Sequence, residues 1–110
     1  SNNIIRERRL LSDDGMFAVI ITVDTKNRKL IGEPTIISRG FIYMKGNEAL
    51  TEALAKDTKE FVFSVFEDER LITEYEFKNK LSEYLTDKIY EITQRKPMII
   101  PVIRDFNILP

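Results

Sequence analysis

The sequence predicts a small α+β domain in which two helices pack on one face of a three-stranded mixed sheet, in the order β-β-α-α-β. Three observations carry this prediction: an apolar run at residues 16–24, two helical segments that follow Asn47 and Thr73, and a second apolar run at residues 97–103. Two helices packed about 8–10 Å apart roughly match the width of three strands spaced about 4.8 Å apart, so they cover a single face.

The first apolar run, Met-Phe-Ala-Val-Ile-Ile-Thr-Val-Asp at 16–24, predicts the central strand. Eight of its nine residues are apolar or β-branched, which is typical of a strand that is buried on both faces. The preceding Ser-Asp-Asp-Gly at 12–15 is a turn signal. We interpret Asp13 and Asp14 as part of a solvated turn rather than as a cation site.

A second strand is predicted at residues 30–37, joined to the first by a hairpin. The connecting loop, residues 25–29, is polar and contains Asn27, which tolerates the left-handed backbone region. Pro34 cannot donate to a strand ladder, so an outer position or a bulge is expected. The extended pattern breaks at 38–40 and resumes at 41–44.

Two amphipathic helices follow. Asn47 is the expected N-cap of the first helix, and its apolar face consists of Leu50, Leu54, Phe61, Val62, Val65 and Phe66. The second helix begins with a capping box formed by Thr73 and Glu76, and it runs to about Arg95 before Pro97 stops it. Its inward residues are Phe77, Leu81, Tyr84, Leu85, Ile89 and Ile92.

The sheet face opposite the helices is predicted to be apolar and uncovered, which indicates an interface. The last strand, 97–103, contains Pro101 and is expected at a sheet edge. The candidate interface residues are Phe17, Val19, Ile21, Ile99, Ile100 and Val102. In the other register of the first strand, Met16, Ala18 and Ile20 occupy that face. We favour an external partner over the alternative that the apolar residues of 4–11 fold back, because they are few and interleaved with arginines.

Composition limits the chemistry. The 110 residues fit one domain, and 17 basic against 18 acidic side chains give a net charge of −1, which counts against autonomous RNA binding. The chain has no Cys and no His, which excludes disulfides, thiolate and imidazole catalysis, and the commonest zinc ligands. No apolar run approaches the ~20 residues of a membrane span, and no signal-peptide pattern opens the chain, so we expect a cytoplasmic protein.

One local feature suggests RNA contact. Arg39 and Lys45 flank the strand break, where a guanidinium could meet a phosphate while Phe41 or Tyr43 stacks on a base. The alternative, which we favour, is that Gly40 permits a bulge and Arg39 pairs with an acid. No catalytic, metal-binding or cofactor-binding residue is assigned.

Three segments together resemble the C-terminal domain of ribonuclease J. They are residues 11–15 with the strand that follows, Pro-Thr-Ile-Ile-Ser-Arg-Gly-Phe-Ile-Tyr at 34–43, and Thr-Gln-Arg-Lys-Pro-Met-Ile-Ile-Pro-Val-Ile at 93–103. The resemblance runs from about Arg6 to Ile103. It implies a parent enzyme with a metallo-β-lactamase core and an inserted β-CASP domain, which degrades and matures RNA by 5′-to-3′ exonucleolytic and endonucleolytic cleavage at a two-zinc site.

The resemblance also implies how this chain relates to its parent. The zinc ligands of the family are mostly histidines of the upstream core, so no catalytic residue is carried over and the chain itself is expected not to be an enzyme. Residues 1–11 would end an interdomain linker and 12–110 would form the C-terminal domain, which contributes to assembly and activity. The implied partners are a second copy, the catalytic core or a paralogue, and RNA through the parent. An RNA-binding module and a small-ligand regulatory domain are the alternatives.

Overall fold

Three strands and two helices follow one another in the predicted order. The computed structural model describes residues 14–41, 47–68, 70 and 72–107. The elements are β1 (Met16–Asp24), β2 (Lys29–Arg39), α1 (Asn47–Glu67), α2 (Glu74–Thr93) and β3 (Met98–Asp105). The predicted α+β fold with a mixed sheet is therefore confirmed, while residues 42–44 of the extended segment expected at 41–44 lie outside the described residues.

The sheet has the strand order β2-β1-β3, so β1 is central as predicted. It pairs antiparallel with β2 through the hairpin and parallel with β3. A parallel pair needs a crossover connection, which the two helices supply. Pro34 and Pro101 lie on the two edge strands, where a missing N–H donor is tolerated. The β1–β2 register shifts between Ile20 and Thr22, opposite the segment of β2 that contains Pro34.

The burial of β1 alternates, and the prediction that both of its faces are buried was wrong. Phe17, Val19, Ile21 and Val23 point toward the helices and are at most 3% exposed. The intervening residues, Met16, Ala18, Ile20 and Thr22, are only partly buried. The described elements provide one layer of helices, so only one face of the strand is fully covered.

The helices complete the core from their predicted apolar faces. On α1, Leu50, Leu54 and Val62 are buried, and on α2 the four-residue spacing of Phe77, Leu81, Leu85 and Ile89 forms one stripe. Thr58 is fully buried among them, and its hydroxyl donates to the carbonyl of Leu54 at 2.7 Å. Ile92 was expected to face inward but is 48% exposed, because it lies beyond this stripe in the last turn.

Local polar groups fix the ends of α2. Thr73 is the N-cap, and its hydroxyl accepts the N–H of Glu76 at 3.0 Å, as the capping box predicts. The helix ends at Thr93, slightly before the expected end at Arg95, because Gln94 takes a left-handed conformation with φ of 60°. The N–H of Gln94 donates to Tyr90 O at 2.8 Å and closes the last turn.

Candidate functional site

The sheet face opposite the helices carries two central apolar rows. The strand register places Ile37, Ala18 and Ile100 in one row and Thr35, Ile20 and Val102 in the next. Ile37, Ile100 and Val102 are each 38–39% exposed. We call the residues of these two rows the open face; within the described part of the chain, no helix or strand covers it.

The rows at the two ends of the open face carry arginines. Arg39 lies beside Met16 and Met98 at one end, and Arg104 lies beside Thr22 and Ile31 at the other. Both arginines are exposed. An apolar centre with charged ends is the usual anatomy of a protein contact surface.

Four of the six predicted interface residues are not on this face. Phe17, Val19 and Ile21 are buried beneath the helices, and Ile99 packs against the same core. The structure therefore selects the other register of β1, which places Met16, Ala18 and Ile20 on the open side. The two remaining residues, Ile100 and Val102, do lie on the open face. The sequence could not choose between registers because both alternate sets in β1 are apolar.

The predicted RNA-contact residues are only partly placed. Arg39 is exposed, and its Nη1 donates to the carbonyl of Ser38 at 2.9 Å. Gly40 has a φ of 68°, which agrees with the expected strand break, while the described partner of Arg39 is a carbonyl rather than an acid. Lys45 and Tyr43 lie outside the described residues.

The three segments that carried the family resemblance meet at the amino end of β1. Gly15 has a φ of 78°, and a Cβ there would lie 2.6 Å from the carbonyl oxygen of Arg39. The N–H of Met98 donates to Gly15 O at 3.0 Å. The backbone N–H of Lys96 donates to the carboxylate of Asp14 at 3.0 Å. The side chain of Asp14 therefore accepts a hydrogen bond from the backbone and is not merely part of a solvated turn. These segments form a structural junction.

A polar cluster lies at the opposite end, where β1 and β3 terminate side by side. Asn107 donates from Nδ2 to Asp24 at 2.8 Å and to Asp105 at 3.1 Å. Asn27 donates to Asp24 from its backbone N–H at 3.1 Å and from its side chain at 2.7 Å. The hydroxyl of Thr25 donates to Asp105 at 2.7 Å. We call these five residues the carboxylate cluster.

Hydrogen bonds hold both carboxyl groups of the carboxylate cluster in the charged form. The side chains of Asn27 and Asn107 lower the pKa of Asp24 from 3.8 to about 2. The hydroxyl of Thr25 and the N–H of Asn107 lower the pKa of Asp105. The segment after β3 had no predicted role, and Asn107 is the residue that the sequence reasoning missed; an isolated asparagine after a strand gives no pattern that could have found it.

A cleft of about 260 Å³ lies beside the carboxylate cluster, on the helix side of the sheet. It is bounded by the ends of β1, β3 and α1 and by the beginning of α2. Its apolar wall consists of Val23, Val65, Phe66, Ile72, Phe77 and Ile103, and its polar groups are Thr25, Thr73, Glu74 and Asp105. We call it the carboxyl-end cleft.

The hairpin supplies the C-terminal cap of α1 next to this cleft. Arg28, rather than the expected Asn27, takes the left-handed conformation with φ of 55°, while Asn27 donates two hydrogen bonds to Asp24. The guanidinium of Arg28 donates to the carbonyls of Phe66 and Asp68, each at 2.7 Å. A cation at the negative end of a helix is favourable, and α1 has no basic residue of its own in its last turn.

The described residues offer little for metal chemistry. They contain no group of three or more Asp, Glu, His or Cys side chains that could hold a metal ion. The described helices also include none that is long and apolar enough to cross a membrane.

Comparison with known proteins identifies the family. Residues 3–106 match the family described as the ribonuclease J C-terminal domain. Ribonuclease J 2 of Staphylococcus saprophyticus is 38% identical over 104 residues, which cover 94% of this chain and 18% of that protein. Ribonuclease J 2 of Staphylococcus aureus is 36% identical over the same coverage, so the chain spans less than a fifth of either relative. The match over nearly its whole length shows that the chain belongs to the ribonuclease J C-terminal domain family.

Proposed function

We propose that this chain is a non-catalytic assembly domain of a larger ribonuclease J-type enzyme. It contributes to oligomer assembly and supports the catalytic core, and its partner is a second copy, the core itself or a paralogue. The observation that carries the proposal is the open face, where Ile37, Ile100 and Val102 remain 38–39% exposed around a central strand. Aliphatic side chains grouped in this way mark interaction surfaces.

The dimensions of the sheet indicate how strong this contact is. Three strands about 4.8 Å apart and eight residues long span about 14 by 26 Å, a footprint of roughly 370 Å². A stable interface buries about 800 Å² on each partner. The open face alone is therefore too small for tight self-association, and we expect a weak contact of the isolated domain that other surfaces of the parent reinforce.

A charge on the open face tests this proposal. We expect Ile100→Glu and Val102→Glu to lower the weight-average mass of the protein in light scattering across a concentration series. Tyr75→Glu is the matched control, because Tyr75 is 75% exposed and lies on α2 rather than on the sheet. If wild-type protein is monomeric at every concentration, the same variants are compared for binding to the separately purified catalytic portion. The proposal would be refuted if the two open-face variants matched wild-type protein both in mass by light scattering and in binding to the catalytic portion.

The proposed parent is a zinc-dependent ribonuclease of the metallo-β-lactamase and β-CASP type, which acts on RNA in the cytoplasm. The residues of this chain do not fit a zinc centre of that kind, because it has no His and no Cys, the usual ligands besides carboxylates. We therefore assign no catalytic step to the chain. An RNA cleavage assay on this chain with added zinc is expected to give no product above that of a heat-denatured control.

RNA binding is a second candidate, favoured by the exposed arginines at the two ends of the open face. A phosphate backbone that bridged Arg39 and Arg104 would cross the open face diagonally, from β2 to β3. Phosphate contacts weaken as salt increases, so Arg39→Ala should reduce both the affinity for single-stranded RNA and its salt dependence. Arg95→Ala is the control, since Arg95 is exposed but lies in the loop before β3. Unchanged binding in Arg39→Ala would remove this candidate.

A further inference from the structure

The carboxyl-end cleft is separate from the open face and has its own chemical character. It lies between the helix ends and the carboxyl ends of the two parallel strands, the place at which open sheets bind ligands. Most of its lining is apolar, and its polar residues are Thr25, Thr73, Glu74 and Asp105. Apolar lining with a few convergent polar groups is the usual composition of a binding site.

The size of the cleft limits what it can hold. A cavity of ~150 Å³ lined by Leu, Ile and Phe accommodates a benzene ring, whereas sites for drug-sized molecules span about 300–1,000 Å³. At about 260 Å³ the cleft accommodates one large side chain and its immediate surroundings. A single buried anchor of this kind typically dominates the binding energy of a peptide contact.

Among the described residues, two acidic side chains, Asp105 and Glu74, and no basic side chain line the cleft. Asp105 accepts hydrogen bonds from Thr25 and Asn107, which are neutral donors, so its charge is not compensated by them. Glu74 lies at the start of α2, and its carboxylate is 3.7 Å from the ammonium group of Lys78 in an exposed pair, which compensates part of its charge. Of the two guanidinium groups near the cleft, that of Arg70 is paired with Asp68 at 2.9 Å and that of Arg28 donates to the carbonyls at the end of α1. A positively charged ligand is therefore complementary to the acidic side chains of the cleft.

We propose that the carboxyl-end cleft is a docking pocket for a partner peptide that inserts one apolar side chain and places a neighbouring Lys or Arg against Asp105 and Glu74. Thr25 orients the Asp105 carboxylate through its hydrogen bond, and Phe66 and Phe77 contact the anchor side chain. This contact is on the helix side of the domain, so it does not depend on the open face or on self-association.

Three acetylated, amidated tripeptides test the pocket in NMR titrations of the 110-residue chain. Lys-Phe-Lys should shift the backbone amides of residues lining the cleft. Lys-Gly-Lys should not, because it lacks the anchor. Glu-Phe-Glu should bind roughly 80-fold more weakly than Lys-Phe-Lys, since two exposed charge contacts worth about threefold each reverse sign.

Variants separate the anchor from the charge. Val65→Phe fills the cleft and should abolish binding of Lys-Phe-Lys. Glu74→Gln keeps the first turn of α2 intact and should reduce the affinity for Lys-Phe-Lys about threefold. Glu91→Gln, at an exposed site in the last turn, should leave that affinity unchanged. If Val65→Phe does not fold, the affinities of Glu74→Gln and Glu91→Gln for Lys-Phe-Lys still test the proposal. Equal binding of all three peptides, stronger binding of Glu-Phe-Glu, or no shift at the cleft with any of them would overturn the proposal.

Discussion

Alanine substitutions on the two faces of the sheet should differ several-fold in their effect on stability. Ile21 is 1% exposed beneath the helices, and removal of a fully buried Ile side chain to Ala costs about 2–5 kcal/mol. Ile100 is 38% exposed on the open face. Full burial of an Ile is worth about 1.5–3 kcal/mol, so the partial burial of Ile100 and the methyl retained in Ala leave about 1 kcal/mol.

Thermal unfolding and urea unfolding, both followed by far-ultraviolet circular dichroism, measure this difference. For a domain of this size 1 kcal/mol shifts Tm by about 4 °C, so we expect a decrease of about 8–20 °C for Ile21→Ala and about 4 °C for Ile100→Ala. The dilute protein is used, and equal m values check that both variants unfold in the same way. If Ile100→Ala lost as much stability as Ile21→Ala in dilute solution, the chain itself would have to cover Ile100. That result would refute the conclusion that this face is open.

Three further predictions concern the ends of the sheet and helices. Because the pKa of Asp24 is lowered from 3.8 to about 2, its contribution to stability is present above its unfolded pKa and is lost as pH falls toward 2; the Tm difference between wild type and Asp24→Ala should therefore shrink between pH 5 and pH 2. Thr73→Ala removes the N-cap of α2 and should reduce the free energy of unfolding by about 1 kcal/mol, whereas Thr73→Ser should retain most of it. Gly15→Ala should lower the Tm strongly in thermal unfolding, because both its positive φ and the contact with Arg39 exclude a Cβ. Gly32→Ala, at a φ of 70° with nothing within 4 Å, should reduce the free energy of unfolding only by the backbone strain of about 1–2 kcal/mol.

The sequence predicted those parts of the fold that depend on one-dimensional patterns. The apolar run of β1 predicted the central strand, and the capping signal at Thr73 predicted the start of α2. The prolines of the other two strands predicted their positions at the edges of the sheet. The direction in which β1 faces was not predictable, since Phe17 and Ala18 begin two alternating sets that are both apolar. Only the packing of the helices selects Phe17, and with it the identity of the open face.

Long-range polar contacts were also beyond the sequence. Arg28 and Phe66 are 38 residues apart, and Asp24 and Asn107 are 83 residues apart. No spacing rule links the residues of either pair. The parallel pairing of β1 and β3 brings their carboxyl ends together, and the contact between Asp24 and Asn107 follows from that pairing. The carboxyl-end cleft depends on the same arrangement, so its lining residues could be found only once the topology was known.

The position of the three resembling segments separates fold from function in this domain. They converge on Gly15 at the amino end of β1, where the contacts with Arg39 and Met98 are backbone contacts. Such contacts constrain the shape of the domain and specify no reaction, and they explain why a sequence without a catalytic motif can still be assigned to a family. The open face and the carboxyl-end cleft, the two contact surfaces that we propose, lie outside this junction. Substitutions at the junction should therefore reduce stability strongly, whereas substitutions at Ile100 or Glu74 should change association with a loss of stability of about 1 kcal/mol or less.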